Sequence, residues 1–316
     1  MSTGKPLGAA RFRGVLFFPV TPFDDRGELD RGLLADHIET GLEHGAGAVF
    51  VACGTGEFHA LSAAERAAAA DVAVATTSGR RPVVAGVGGS LGDAIVGARR
   101  AADAGMDALL LLPPYLVTGS KAGLRAWVES VVEAGDRPVV LYHRANAVYA
   151  PDLVSALARD PRVIGFKDGV GDVALAQSIV SRVGAERPDF AFFNGLLTAE
   201  LSQVAYRAIG VPLYSSAVFA MAPAIANAFY RAYTDHDDAT CRSILDGFYR
   251  PLATLRDETP GFAVSLIKAG LRLGGLPVGP VRPPLTDPDD RQTARLAELL
   301  RAGAELVGAH QAEALA

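Results

Sequence analysis

Short apolar runs alternate along this chain with longer stretches whose apolar positions recur at helical spacing. The runs are GVLFFPV (14–20), GAVFVAC (47–53), PVVAGVG (82–88), DALLLLP (107–113), PVVLYH (138–143), VIGFKD (163–168), FAFFNG (190–195) and VPLYSS (211–216). Few polar residues interrupt them, the pattern of strands buried on both faces in a parallel sheet. Between them lie alanine-rich helix formers such as SAAERAAAADVAVATT and LGDAIVGARRAADAG. Ser62 with Glu65 predicts a capping box, and Gly105 a helix stop. Eight such units at a spacing of roughly 25–30 residues predict an α/β fold, a closed (β/α)8 TIM barrel, rather than an open doubly wound sheet. The barrel is expected over residues 14–222, after an N-terminal tail of 1–13. A C-terminal helical extension is expected over 223–316, from PAIANAFYRAYT, DATCRSILDGFYRPLATLRD, GFAVSLIKAGLRLGG and RQTARLAELLRAGAEL. Pro277 to Pro288 is its one proline-rich connector.

Composition narrows the classes. The chain has 316 residues, half of them hydrophobic, which is ample for a full core. A net charge of −5 with both signs interspersed forms no basic stripe, which argues against a nucleic-acid partner. The start MSTGKPLGAARFRG lacks the apolar segment of a signal peptide. The run ALLLLPP is too short to span a bilayer, so no membrane partner is expected and the protein reads as soluble and cytoplasmic. Cys53 and Cys241 make neither a disulfide framework nor a CxxC site. GVGGSLG (86–92) has Leu91 where a dinucleotide fingerprint needs its third glycine. The histidines show no HxxxH or HExxH spacing, and DHDD (235–238) reads as a helix cap with solvated charge. No metal and no cofactor is expected.

In such a barrel the chemistry sits at the C-terminal ends of the strands. That rule selects Thr55, Gly56 and Glu57 after the second strand, Tyr115 after the fourth, and Tyr142 and Arg144 at the fifth. It further selects Lys167 and Asp168 at the sixth, Asn194 and Gly195 at the seventh, and Ser215 and Ser216 at the eighth. Lys167 closes an apolar strand, where burial penalises an ammonium relative to a neutral amine, and a neutral amine can attack a ketone to form a Schiff base. The other reading is a structural lysine paired to Asp168 or to a loop carboxylate. Tyr142, on the neighbouring strand, is either a proton-transfer phenol or a buried tyrosine satisfied by a backbone carbonyl. The glycines of CGTGEF (53–58) let backbone amides and the Thr55 hydroxyl approach a carboxylate, although a plain strand–helix turn accounts for them equally well. Ser215 and Ser216 are hydroxyl donors or helix caps.

The order of G-x-x-x-x-PVTPF (14–23), GTGE (54–57), PPY (113–115), a strand-final Tyr142 and GFKD (165–168) resembles the lysine-dependent lyases and synthases of the dihydrodipicolinate synthase/N-acetylneuraminate lyase superfamily. The resemblance covers about residues 14 to 300. It implies a (β/α)8 barrel with a C-terminal helical domain, a homo-oligomer built as a dimer of dimers, and Schiff-base chemistry on 2-keto acids. Lys167 falls on the imine-forming lysine, Tyr142 on the catalytic tyrosine, and Thr55 and Gly56 on the carboxylate-binding positions. Two marks of the synthases are missing: Gly54 stands in place of a relay threonine and Leu116 in place of a second tyrosine. LLLLPPYL (109–116), GFKDGVGD (165–172), TAE (198–200), VPLYSSAVF (211–219) and AVSLIKAG…GPVRPPLTD (263–287) instead resemble the 5-dehydro-4-deoxyglucarate dehydratase branch, with His143 where that branch typically has asparagine. The implied partner is a small keto-aldarate, a six-carbon dicarboxylate. Ser215, Ser216 and Asn194 are the candidates for its distal end, with Gly195 a further substrate-binding candidate. Arg144 is open between orienting the substrate and pairing with an acidic residue or a neighbouring subunit. An aldolase that releases pyruvate from a sugar acid and a non-catalytic sugar-acid-binding barrel are the alternatives.

Overall fold

A computed structural model of the chain describes residues 12–314; residues 1–11 of the expected tail lie outside the described residues. Eight parallel strands close a barrel in chain order. They are β1 (Leu16–Phe17), β2 (Ala48–Val51), β3 (Val83–Gly89), β4 (Ala108–Pro114), β5 (Val139–His143), β6 (Val163–Asp168), β7 (Ala191–Asn194) and β8 (Leu213–Ser216). Each lies within or overlaps one apolar run. The first is cut to two residues because Pro19 and Pro22 follow, and proline has no N–H for the ladder. Helices α1 (Arg31–Glu43), α2 (Ala63–Thr77), α3 (Leu91–Asp103), α4 (Lys121–Gly135), α5 (Pro151–Leu157), α6 (Val173–Glu186) and α7 (Glu200–Ala208) cover the outside. The capping box at Ser62 and Glu65 forms, and Gly105 takes φ +83° just past α3.

Alternation along the strands divides the core. Leu16, Phe18, Phe50, Val84, Leu110, Val140 and Phe193 pack with one another inside the barrel, while Phe17, Val49, Val83, Leu109, Val139 and Leu141 face the helices. Phe12 joins the inner cluster, its ring centroid 5.2 Å from that of Phe193.

An irregularity between β5 and β6 sets the direction of Lys167. Val139 pairs with Val163 but Val140 pairs with Gly165, so β6 holds one residue more than β5 at that point. Such a bulge reverses the alternation beyond it. Phe166 therefore packs with the helix layer, and Lys167 lies level with the inward-facing Tyr142. Gly165 fits inside because it has no side chain: a Cβ would come within 2.9 Å of Ala191 O and of the Phe193 ring.

After β8 come α8 (Val218–Met221), α9 (Pro223–Thr234), α10 (Asp238–Ile244), α11 (Arg250–Arg256), α12 (Phe262–Leu273) and α13 (Asp290–Ala314). The stretch expected as one helix, 238–257, is interrupted by a π-helical turn at Leu245–Tyr249. Pro251 lies just beyond it, and a wider turn relieves the missing N–H and the ring clash that proline imposes. DHDD behaves as a cap with solvated charge: Asp237 accepts from Thr240 N, and Asp238 pairs with Arg207. No helix among the described residues is long and apolar enough to cross a membrane.

A buried ion pair ties this extension to the barrel. Lys268 of α12 sits 2.7 Å from Glu57 Oε1, and neither side chain is exposed. Lys268 Nζ also donates to Pro280 O and lies 4.0 Å from the centroid of the Phe23 ring, while Glu57 Oε2 accepts from Arg282 N. Burial pulls the Lys268 ammonium below its ordinary range, and the Glu57 charge opposes that pull. Breaking one side strands the other charge. Lys268→Met is expected to lower the unfolding free energy by about 3–5 kcal/mol. Adding Glu57→Gln should recover most of that loss, both read by urea denaturation.

Candidate active site

Tyr142 and Lys167 are brought side by side by the β5–β6 register. Lys167 is 6% exposed, and its Nζ lies 4.1 Å from the centroid of the Tyr142 ring and 5.0 Å from that of Phe18. Asp168, one residue on, points to the helix side and is engaged there. It accepts from the Tyr206 hydroxyl at 2.5 Å and from Val170 N at 2.9 Å. No carboxylate among the described residues forms an ion pair with Lys167.

Glycine makes the room for this lysine. A Cβ on Gly195 would lie 2.7 Å from Lys167 Cγ and 2.8 Å from its Cε, and one on Gly169 would lie 2.7 Å from the Tyr142 ring. The Tyr142 hydroxyl donates to Gly195 O at 3.2 Å and accepts from Arg144 Nη1 at 3.1 Å. Burial alone would raise this phenol, but the Lys167 and Arg144 cations outweigh burial and hold it below its ordinary value. A phenol made more acidic beside an amine suits proton transfer in both directions.

These groups open onto a cavity of about 600 Å³. Thr55, Tyr142, Arg144, Lys167, Gly195 and Ser215 line it, as does Gly54. Gly56 does not. A Cβ on Gly56 would lie 3.2 Å from Ala52 and from Pro19 O, a tight fit against backbone, and the Gly56 carbonyl accepts from Thr21. The turn is closed by Glu57 N to Gly54 O and Phe58 N to Cys53 O, a pattern that leaves the Thr55 and Gly56 amides out.

Two further expectations need correction. Asn194 does not reach the cavity: its amide donates to Ala199 O, Ser202 and Gln203, and its carbonyl accepts from Leu196 N. Ser216, fully buried, accepts from Phe219 N at the start of α8. Strand alternation explains both, since Phe193 and Ser215 take the inward positions beside them. His143, the departure from the branch pattern, also faces outward, with Nδ1 accepting from Tyr149 N, so it is not part of the cavity wall. Arg144 has no acidic partner among the described residues. Tyr115 is 69% exposed and outside the cavity. No group of three or more His, Cys, Asp or Glu among the described residues is placed to hold a metal ion.

Sequence reasoning missed Thr198, Glu200 and Arg256, all of which line the cavity. TAE (198–200) was the only signal for the first two; Arg256 carried none, because it arrives from α11, outside the barrel strands.

The fold agrees with what the chain is related to. A model of the dihydrodipicolinate synthetase family matches residues 11–303. The chain belongs to that family. Within it, the chain is 50% identical over 315 residues, 98% of each chain, to a probable 5-dehydro-4-deoxyglucarate dehydratase of Streptomyces griseus. It is 42% identical to one of Pseudomonas entomophila, covering 94% of this chain and 97% of that one. Among solved structures, the dihydrodipicolinate synthase of Oceanobacillus iheyensis superposes with a TM-score of 0.86 at 25% identity, covering 93% of this chain and 97% of that one. A dihydrodipicolinic acid synthase family protein of E. coli K12, solved in complex with pyruvate, does so at 0.80 and 28%, covering 92% and 98%.

Glu200 gives this member of the family a pH signature. It is 1% exposed, and burial pushes its carboxyl up from 4.5 to about 7, against weaker opposing contacts from Ser216 and Tyr249. The folded chain therefore holds this proton more tightly than the unfolded chain between those values. Its contribution to stability is greatest below pH 4.5 and falls as pH rises to about 7. Glu200→Gln, which stays neutral, is expected to flatten that slope and to raise stability at pH 8 by on the order of 3 kcal/mol. Unfolding midpoints of both proteins at pH 5 and pH 8 measure it.

Proposed function

We propose that the protein dehydrates and decarboxylates 5-dehydro-4-deoxyglucarate to 2,5-dioxopentanoate, water and carbon dioxide through a Schiff base on Lys167. The observation that carries this reading is the buried Lys167–Tyr142 pair beneath the cavity, in a chain half identical to probable dehydratases of that substrate.

The Thr55 hydroxyl and the free Thr55 amide of the turn hold the carboxylate next to the ketone. The Lys167 amine attacks that ketone at C5, and water leaves from the carbinolamine to give an iminium. Tyr142, bridged to Arg144 and Gly195 O, passes the protons. The iminium acidifies C4, whose proton is removed, and the resulting enamine expels the C3 hydroxyl as water. The new C3–C4 double bond is conjugated to the iminium. Electrons from the C1–C2 bond then run through it to nitrogen as carbon dioxide leaves. The C2 hydroxyl is left on an enol, which becomes an aldehyde, and hydrolysis frees the amine and the product. One nitrogen serves as the electron sink for both eliminations.

Incubation with 5-dehydro-4-deoxyglucarate, borohydride reduction and peptide mass measurement test this. The expected adduct is on Lys167 with the mass of the five-carbon dioxo acid. A pyruvate-sized adduct would instead mark an aldolase, and no adduct on folded, ligand-bound protein would make Lys167 structural. Lys167→Ala should form none, and Tyr142→Phe should turn over about 10²- to 10⁴-fold more slowly.

A further inference from the structure

We propose that Arg256 and Thr198 form the subsite for the second carboxylate of the substrate, so that the C-terminal extension selects dicarboxylic over monocarboxylic 2-keto acids. The inference rests on the Schiff-base reading above. Among the described residues the Lys and Arg side chains that line the cavity are Lys167, Arg144 and Arg256. The first is the amine that reacts and the second is bonded to the Tyr142 hydroxyl. Arg256 has no such task. Its side chain is 13% exposed, at the end of α11.

Arg256 is held from both sides. Its Nε and Nη2 donate to the two oxygens of Asp257 at 2.8 and 3.0 Å, and its Nη1 donates to Thr198 Oγ1. Each terminal nitrogen keeps a further N–H beyond these bonds. Because the Thr198 oxygen accepts from Arg256, its own proton is left to donate onward. Thr198 takes φ +50°, the left-handed region that a β-branched residue rarely adopts. That backbone sits three positions after Gly195, whose bare Cα accommodates Lys167.

The charge balance fits the group to be bound. A carboxylate that leaves as carbon dioxide loses its charge in the transition state, so an uncompensated buried arginine would favour the bound substrate over the transition state. Here Asp257 offsets the guanidinium charge, which leaves directed N–H and O–H donors with little net field. These fix the orientation of the carboxylate without an ion pair that must be broken for it to depart.

Borohydride capture at Lys167, titrated with 5-dehydro-4-deoxyglucarate and separately with pyruvate, tests the subsite on the full chain. Arg256→Gln is expected to raise the half-saturating concentration of the dicarboxylate by about 10- to 100-fold while shifting that of pyruvate by less than about 2-fold. Thr198→Val, which keeps Arg256 with Asp257, is expected to weaken dicarboxylate capture several-fold and carries the test if Arg256→Gln melts early. Equal losses for both keto acids in either folded variant, or none for the dicarboxylate, overturn the subsite. Wild-type protein that captures neither acid overturns the Schiff-base reading, and the subsite with it.

Discussion

The extra residue in β6 decides where Lys167 points. Without it, the alternation set by Val163 and Ile164 would turn position 167 toward the helices, into the layer that Phe166 now occupies. The bulge costs an irregular ladder and requires Gly165, since the doubled position has no space for a side chain. In return the amine lies level with Tyr142, and the phenol feels two cations at once. The shape of the cavity floor depends on this one offset. Gly195 and Gly169 are small because Lys167 and Tyr142 lie against them, and the Tyr142 hydroxyl reaches Gly195 O because β7 follows β6 in register.

A barrel alone would leave that floor open. The remaining wall comes from α11, α12 and the connector after them, and the Lys268–Glu57 pair holds these to the turn after β2. A buried pair of this kind adds little net stability over a well-packed apolar pair. What it supplies is position. Glu57 adopts φ +55° and its carboxylate is gripped by Lys268 and by the Arg282 amide, so the turn that presents Thr55 is fixed relative to the helix wall. The turn that carries Thr55 and the C-terminal wall are therefore one mechanical unit.

The architecture was legible because its signal is repeated: eight apolar runs, each carrying one strand, with caps at Ser62 and Gly105 that local chemistry alone specifies. Lys167 and Tyr142 were legible as strand-final polar residues in apolar strands. The errors came in adjacent pairs. Asn194 with Gly195 and Ser215 with Ser216 both read as cavity residues, yet neighbours on a strand face opposite sides, and the apolar contacts of Phe193 and Leu16 already imply which side is inner. The bulge was not legible, since inserting one residue leaves composition and periodicity almost unchanged over six residues. Arg256 was invisible for a different reason: its place in the cavity wall depends on a helix folding back across the barrel mouth, a contact between residues far apart in the chain.

The electrostatics of the cavity match the electron path of the proposed reaction. Cations gather at the phenol and the amine, where the proposed reaction exchanges protons and delivers charge to nitrogen. The guanidinium on the helix wall is offset by Asp257, and Glu200 is held near neutrality by burial rather than by a partner cation. A site that bound its dianion only by opposite charge would hold both carboxylates equally and lose binding as one departed. In the proposed reaction, charge concentrated at the end that stays, and directional donors at the end that leaves, would let one cavity grip a dicarboxylate and still release carbon dioxide from it.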